Sequence, residues 1–129
     1  MTTELFYLAL TALVTALLWI PYILDRIARW GLVDTVGYPQ DPPAQSPWAT
    51  RLRLAHANAI ENLVVFAALV LVAHAAGVGN ELTAGAAMLY FWARVVHAIA
   101  YTAAIPLLRT LAFAAGFCAQ VVFAWRILT

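Results

Sequence analysis

Two short stretches of this sequence carry most of its reactive side chains. The first, RLRLAHANAIEN, sets Arg51, Asn58 and Glu61 into an otherwise apolar run, and the second, ARVVHAIAY, sets Arg94, His97 and Tyr101 at spacings of three and four. At about 100° per helical residue, Arg51, Asn58 and Glu61 span an arc of about 80°, and the second set an arc of about 60°. Each set is therefore a polar stripe on one helix face. His56 points roughly 140° away from Arg51 on the same wheel and lies off the stripe. Arg109 follows the second stripe and supplies a further cation.

Ionisable groups in such apolar surroundings are expensive and face a bundle interior or a wet cavity. Two readings follow. Glu61 and Arg94 pair across helices and hold the bundle together, or the stripes face a polar cavity that takes a charged small molecule. Two arginines, a glutamate, an asparagine, a histidine and a tyrosine exceed what one structural ion pair requires. With more Arg than Glu, such a cavity calls for an anionic ligand. Other chemistries lack their residues. His56, His74 and His97 share no metal-ligand spacing, so no metal is expected. No Ser-His-Asp arrangement or glycine-rich phosphate loop is present. His74 lies about opposite Asn58 and reads as a packed or interfacial histidine. Cys118, the lone cysteine, sits in an apolar run where packing is the expected role.

The elements that must position these residues follow from composition. Of 129 residues, 65% are hydrophobic and only 10% charged, against about 25% charged in an ordinary soluble domain. A soluble fold this small has too little interior to hide that much apolar surface, which makes lipid the expected solvent. Four apolar segments, approximately 5–24, 54–76, 82–104 and 107–128, each approach the ~20 residues needed to cross a bilayer. The expected fold is an all-α membrane protein, a single four-transmembrane-helix bundle over residues 1–129. Pro21 marks the end of the first span, GVGNE joins the second and third, and Ile105-Pro106 joins the last two. Residues 25–50 are rich in Pro, Asp, Gln and Gly and predict an exposed loop, too proline-rich for a long helix.

Sidedness follows from arginine placement. Arg26, Arg29, Arg51, Arg53 and Arg109 fall on the loop side, whereas the terminal side has Arg126. The positive-inside rule places the long loop in the cytoplasm and both termini on the non-cytoplasmic side. The first segment begins near Glu4, lacks a basic leader region and is longer than a signal peptide's apolar core, so it reads as a retained helix. Trp30, Trp48 and Trp125 fall near the expected interfaces, and Ala112 and Gly116 have the four-residue spacing of close helix packing. The net charge of +1 and the absence of a basic run give no reason to expect nucleic acid.

The same two stretches resemble the MAPEG family, membrane-associated proteins in eicosanoid and glutathione metabolism. AHANAIEN is similar to the family's second-helix signature, Arg-Ala-x-x-Asn-x-x-Glu, with Leu54 where the family commonly has arginine. RVVHAIAYTAAIPLLR resembles its third-helix signature, Arg-x-x-His-x-x-x-Tyr followed by an arginine near the next helix. The resemblance implies a homotrimer that binds glutathione between subunits near the cytoplasmic leaflet, as thiol co-substrate. It implies that Asn58, Glu61, Arg94, His97 and Tyr101 line the glutathione site, with Glu61 meeting the amino group, and that Arg109 stabilises the thiolate. Arg51 lies two turns from Asn58, on nearly the same face, and is the candidate to replace the arginine missing at Leu54. Arg26 and Arg29 are further candidate cations.

The implied function is a glutathione-dependent transferase or peroxidase acting on hydrophobic electrophiles or lipid peroxides that enter from the membrane. The alternative is a non-catalytic lipid-binding or scaffold member of the same family. A small four-span drug exporter needs a carboxylate buried within its first helix, and the first span here has only Glu4 at its extreme end.

Overall fold

The structure, a computed structural model, describes residues 1–129. It is an all-helical up-down-up-down bundle in the order α1 (Thr3–Leu17), α2 (Trp19–Trp30), α3 (Leu32–Val36), α4 (Pro47–Ala75), α5 (Glu81–Thr102) and α6 (Pro106–Leu128). Four stretches are long and apolar enough to cross a membrane: Thr3–Trp30, Pro47–Ala75, Glu81–Thr102 and Pro106–Leu128.

The first span does not stop near Pro21. It loosens for one turn at Leu18 and continues as α2 to Trp30. Pro21 lies in the first turn of α2, where its missing N–H costs no intrahelical bond. Gly31, at φ 82°, ends the helix in a conformation that a side chain would resist. Thr11 and Thr15 return their hydroxyls to the carbonyls of Tyr7 and Thr11, at 2.7 and 2.8 Å. Neither hydroxyl is left unpaired among apolar neighbours.

The connection expected over 25–50 is shorter and more ordered than its prolines suggest. Helix α2 takes residues up to Trp30, α3 occupies 32–36, and α4 begins at Pro47. A strap binds the remainder to α2. Asp25, buried, accepts from the Ser46 amide at 3.0 Å and the Ser46 hydroxyl at 2.5 Å. Gln45 donates to the Tyr22 carbonyl at 2.9 Å and Trp30 to the Pro43 carbonyl at 2.6 Å. Arg26 donates to Gln45 and Arg29 to Ser46, so both arginines serve the strap.

At the opposite end, one turn ties three helices. Asn80 and Thr83 form a reciprocal cap at the start of α5, and the Thr83 hydroxyl also donates to Glu4 of α1 at 2.6 Å. Arg126 of α6 reaches the Val78 carbonyl at 2.9 Å. Between this clamp and the polar stripes lies the apolar core, where Phe66 stacks on Tyr90 with ring centroids 3.7 Å apart and meets Phe123 edge-on at 5.8 Å.

Helices α5 and α6 share the most extensive contact. Ala112 and Gly116 are buried there, and a methyl group on Gly116 would lie 3.8 Å from both Tyr90 and Arg94. The small-residue pair thus lets α6 approach the polar face of α5. Cys118 points the other way and is exposed. It does not pack within the chain, because its position falls outside the Ala112–Gly116–Gln120 stripe.

Candidate functional site

The polar stripe of α5 runs Tyr90, Arg94, His97, Tyr101, and all but Tyr101 are buried. Helix α4 lies alongside and presents Asn58 and Asn62, one turn apart. Arg94 donates from Nη2 to the Asn58 amide oxygen at 2.6 Å. Asn62 donates from Nδ2 to the Asn58 backbone carbonyl at 2.9 Å and to the same amide oxygen at 3.3 Å. From α6, Gln120 donates to the Asn62 carbonyl at 3.3 Å. Polar side chains thus link α4, α5 and α6 above the apolar core. Two groups in this region, the Tyr90 hydroxyl and Arg94 Nε, are buried without a partner.

Glu61 is not in this network. It is exposed on the outer face of α4. The physical reason is angular: a step of four residues turns about +40° from Asn58, whereas a step of three turns about −60°. The longer step keeps Asn62 facing α5 and α6; the shorter one swings Glu61 out of the bundle. Arg94 is consequently held by an amide, and the Glu61–Arg94 ion pair of the structural reading does not form within the chain.

Toward the loop side the stripes open into two adjoining pockets. The inner one, about 320 Å³, is lined by Asn58, His97, Tyr101, Arg109, Thr110 and Phe113. The outer one, about 200 Å³, is lined by Arg51, Ala100, Tyr101, Ala104, Ile105, Pro106 and Arg109. Tyr101 and Arg109 belong to both, and the Arg109 guanidinium lies 4.8 Å over the Tyr101 ring centroid. Neither pocket has a carboxylate in its wall. His97 sets its ring edge-on to Tyr101 at 5.7 Å and tilted against Phe113 at 6.2 Å, which fixes the back of the inner pocket.

The turn that aims Arg109 is tight. Ile105 N–H reaches back to the Ala100 carbonyl at 2.9 Å, and Ala104 adopts φ 60°. Pro106 then starts α6, placing Arg109 on its first turn with its amide bonded to the Ile105 carbonyl at 3.1 Å.

Four expected site residues therefore meet in the inner pocket: Asn58, His97, Tyr101 and Arg109. Arg51 lies in the outer pocket, where its Nε donates to the Thr102 carbonyl at 2.9 Å. It caps the end of α5 and does not reach up toward Asn58. Arg94 sits behind Asn58 and lines neither pocket. Thr110 and Phe113 are wall residues that the stripe reasoning missed, although both lie within a turn of Arg109. Asn62 and Gln120 were also missed; each continues a four-residue spacing already visible in the sequence.

The remaining histidines lie apart. His56 is hydrogen-bonded through Nδ1 to the Tyr22 hydroxyl at 2.8 Å. His74 is exposed in a separate pocket of about 510 Å³ near the termini, which Glu4 and Glu81 also line. No group of three His, Cys, Asp or Glu side chains converges as a metal site.

The walls, with a cation and donors and no carboxylate, suit an anion. A fixed cation beside an open pocket stabilises an anion formed there, and a thiol placed against it loses its proton more readily. A family model, described as the MAPEG family, matches residues 5–129. No curated protein and no solved structure matches the chain.

Proposed function

The chain belongs to the MAPEG family of integral, multi-pass membrane proteins, and on that premise we propose that it is a glutathione-dependent transferase or peroxidase acting on hydrophobic substrates. The family includes glutathione transferases and peroxidases as well as other members. The observation that carries the enzymatic reading is the inner pocket: Arg109 stands beside Asn58, His97 and Tyr101 with no carboxylate in the wall.

Glutathione carries a net negative charge, which suits these walls. Its thiol, with a pKa of about 8.5 when free, is mostly protonated at neutral pH, and the Arg109 guanidinium lowers that value. The thiol proton passes to water. In conjugation the thiolate sulfur bonds the electrophilic carbon, and the leaving group or opened ring takes the displaced electron pair. In peroxide reduction the thiolate attacks a peroxide oxygen and the O–O bond breaks. An alcohol and a glutathione sulfenic acid result, and a second glutathione converts the latter to disulfide and water. Both reactions use one thiolate. The half-exposed Phe113 gives the pocket an apolar edge through which a substrate dissolved in lipid arrives.

Arg51, across the outer pocket from Arg109, holds a second acidic end of the ligand. The loop side is the cytoplasmic side and the termini are non-cytoplasmic, following the arginine placement. The assembly is a homotrimer. Glu61, exposed partway along a membrane-spanning helix, supports this, because a lipid-facing carboxylate is costly and a second copy would cover it. There Glu61 is available to the amino group of glutathione held at a neighbouring subunit.

The test is turnover by the purified protein in detergent or nanodiscs, with glutathione and either a chloronitrobenzene or a fatty acid hydroperoxide. Thiol-dependent turnover of either supports an enzyme. Turnover of neither, with no rise in melting temperature on adding glutathione, assigns the chain to the non-catalytic lipid-binding or scaffold alternative.

A further inference from the structure

The Asn58 amide oxygen is already occupied on the side away from the pocket. Arg94 Nη2 donates to it at 2.6 Å and Asn62 Nδ2 at 3.3 Å. An arginine has only donors, so the oxygen of the Asn58 amide must be the end that faces it. The opposite end, Nδ2, has no partner within the chain and is not among the buried unpaired atoms. Asn58 itself lines the inner pocket.

Arg94 is placed to enforce this. Arg94 is 7% exposed as a residue, its Cδ methylene packs at the Gly116 gap in α6, and its guanidinium has no carboxylate to bind instead. Flipping the Asn58 amide would set N–H groups against a buried guanidinium and leave that cation with the distant contact to His97 Nδ1 at 3.5 Å. An unpaired buried charge is far costlier than a neutral one. The remaining polar groups of the inner pocket, His97, Tyr101, Arg109 and Thr110, each carry a proton they are able to donate.

We propose that Arg94 is a positioning residue that locks the Asn58 amide with its N–H groups toward the inner pocket, so that Asn58 recognises a carboxylate or carbonyl oxygen of the ligand and rejects a donor such as an amine. This rests on the glutathione reading for the identity of the ligand and extends it to the orientation of that ligand: an acceptor group, never the ammonium end, sits at Asn58.

The decisive variant is Asn58→Asp. It keeps the size of the side chain and the oxygen that Arg94 holds, and turns the pocket-facing group from donor to acceptor. Glutathione affinity, read from ligand-induced stabilisation in detergent, falls about thirtyfold or more, while the melting temperature without ligand does not fall, because Arg94 gains a carboxylate. Arg94→Met frees the amide to turn. The KM for glutathione rises about tenfold with a smaller change in kcat, and Arg94→Lys restores KM to within about threefold. A purely structural arginine would lower stability without that split or that rescue. Glutathione binding by Asn58→Asp within about threefold of wild type overturns the proposal.

A second readout does not need glutathione. In protein labelled with ¹⁵N-asparagine, the Asn58 side-chain amide signals are identified by their loss in Asn58→Asp. A water-soluble paramagnetic agent broadens them if Nδ2 faces the pocket. Amide signals shielded from the agent overturn the orientation. Broadening in a wild type that fails to bind glutathione supports the orientation and removes the glutathione reading instead.

Discussion

The Arg109 guanidinium lies 4.8 Å above the ring of Tyr101, and these two residues form the wall between the inner and outer pockets. They come from different helices, eight positions apart across a turn that Ala104 and Pro106 shape. The ring does two things at once: it supports the cation from below and keeps it at the pocket mouth. A cation over an aromatic face is stabilised by about 0.5–2 kcal/mol, depending on how dry the site is.

Tyr101→Phe retains that face and Tyr101→Ala removes it. The expected kcat/KM with glutathione is within about threefold of wild type for Phe and lower by about tenfold or more for Ala. Steady-state kinetics on both variants checks this; equal losses would assign the role to the hydroxyl.

Ala104 is the one non-glycine residue that turns a helix end with positive φ in this bundle, at 60°. The strain for a side chain there is roughly 1 kcal/mol. Ala104→Gly should raise the thermal midpoint by a few degrees in detergent, scaled to roughly 1 kcal/mol, without changing the helix content. A lower midpoint would mean that the turn is held for another reason.

Asp25 gathers the strap by accepting from the amide and hydroxyl of Ser46. Asp25→Ala leaves the amide and hydroxyl donors of the buried Ser46 without their acceptor and loosens the strap. Limited proteolysis should then cut faster between residues 37 and 46 while the four spans stay protected. An unchanged cutting rate would contradict the strap.

Glu61 bears on assembly. Native mass spectrometry of the detergent-solubilised protein should give three copies, and Glu61→Gln should lower the KM penalty for glutathione analogues that lack the amino group. A monomer, or an unaltered preference for the amino group, would count against the trimeric site.

Much of this arrangement is legible in the sequence and the misses have identifiable causes. The four spans follow from apolar length, and the α5 stripe follows from spacing, because Arg94, His97 and Tyr101 repeat a helical turn. The continuation of the first span through Pro21 was hidden, since a proline that opens a new turn and one that ends a helix look alike in isolation. The strap was hidden because its bonds join residues of α2 to side chains some twenty positions on. The Asn58–Glu61 pair misled for a sharper reason. A wheel arc of about 60° counts as one face in projection, yet at the edge of a helix contact it separates a half-buried amide from an exposed carboxylate. Arg94 lies on α5 and Arg51 on α4, the helices that the apolar segments predict. Their hydrogen-bond partners, the Asn58 amide and the Thr102 carbonyl, lie on neighbouring helices that no spacing within one helix reveals.

The central claim is that Arg109 faces a bound thiol and stabilises its anion. The most direct measurement is an ultraviolet difference spectrum of the thiolate band on adding glutathione to purified wild type and to Arg109→Ala at neutral pH. A thiolate signal that saturates with glutathione in the wild type and is absent in the variant is the predicted result. A wild-type signal matched in full by Arg109→Ala, or no signal in a protein that binds glutathione, would contradict it.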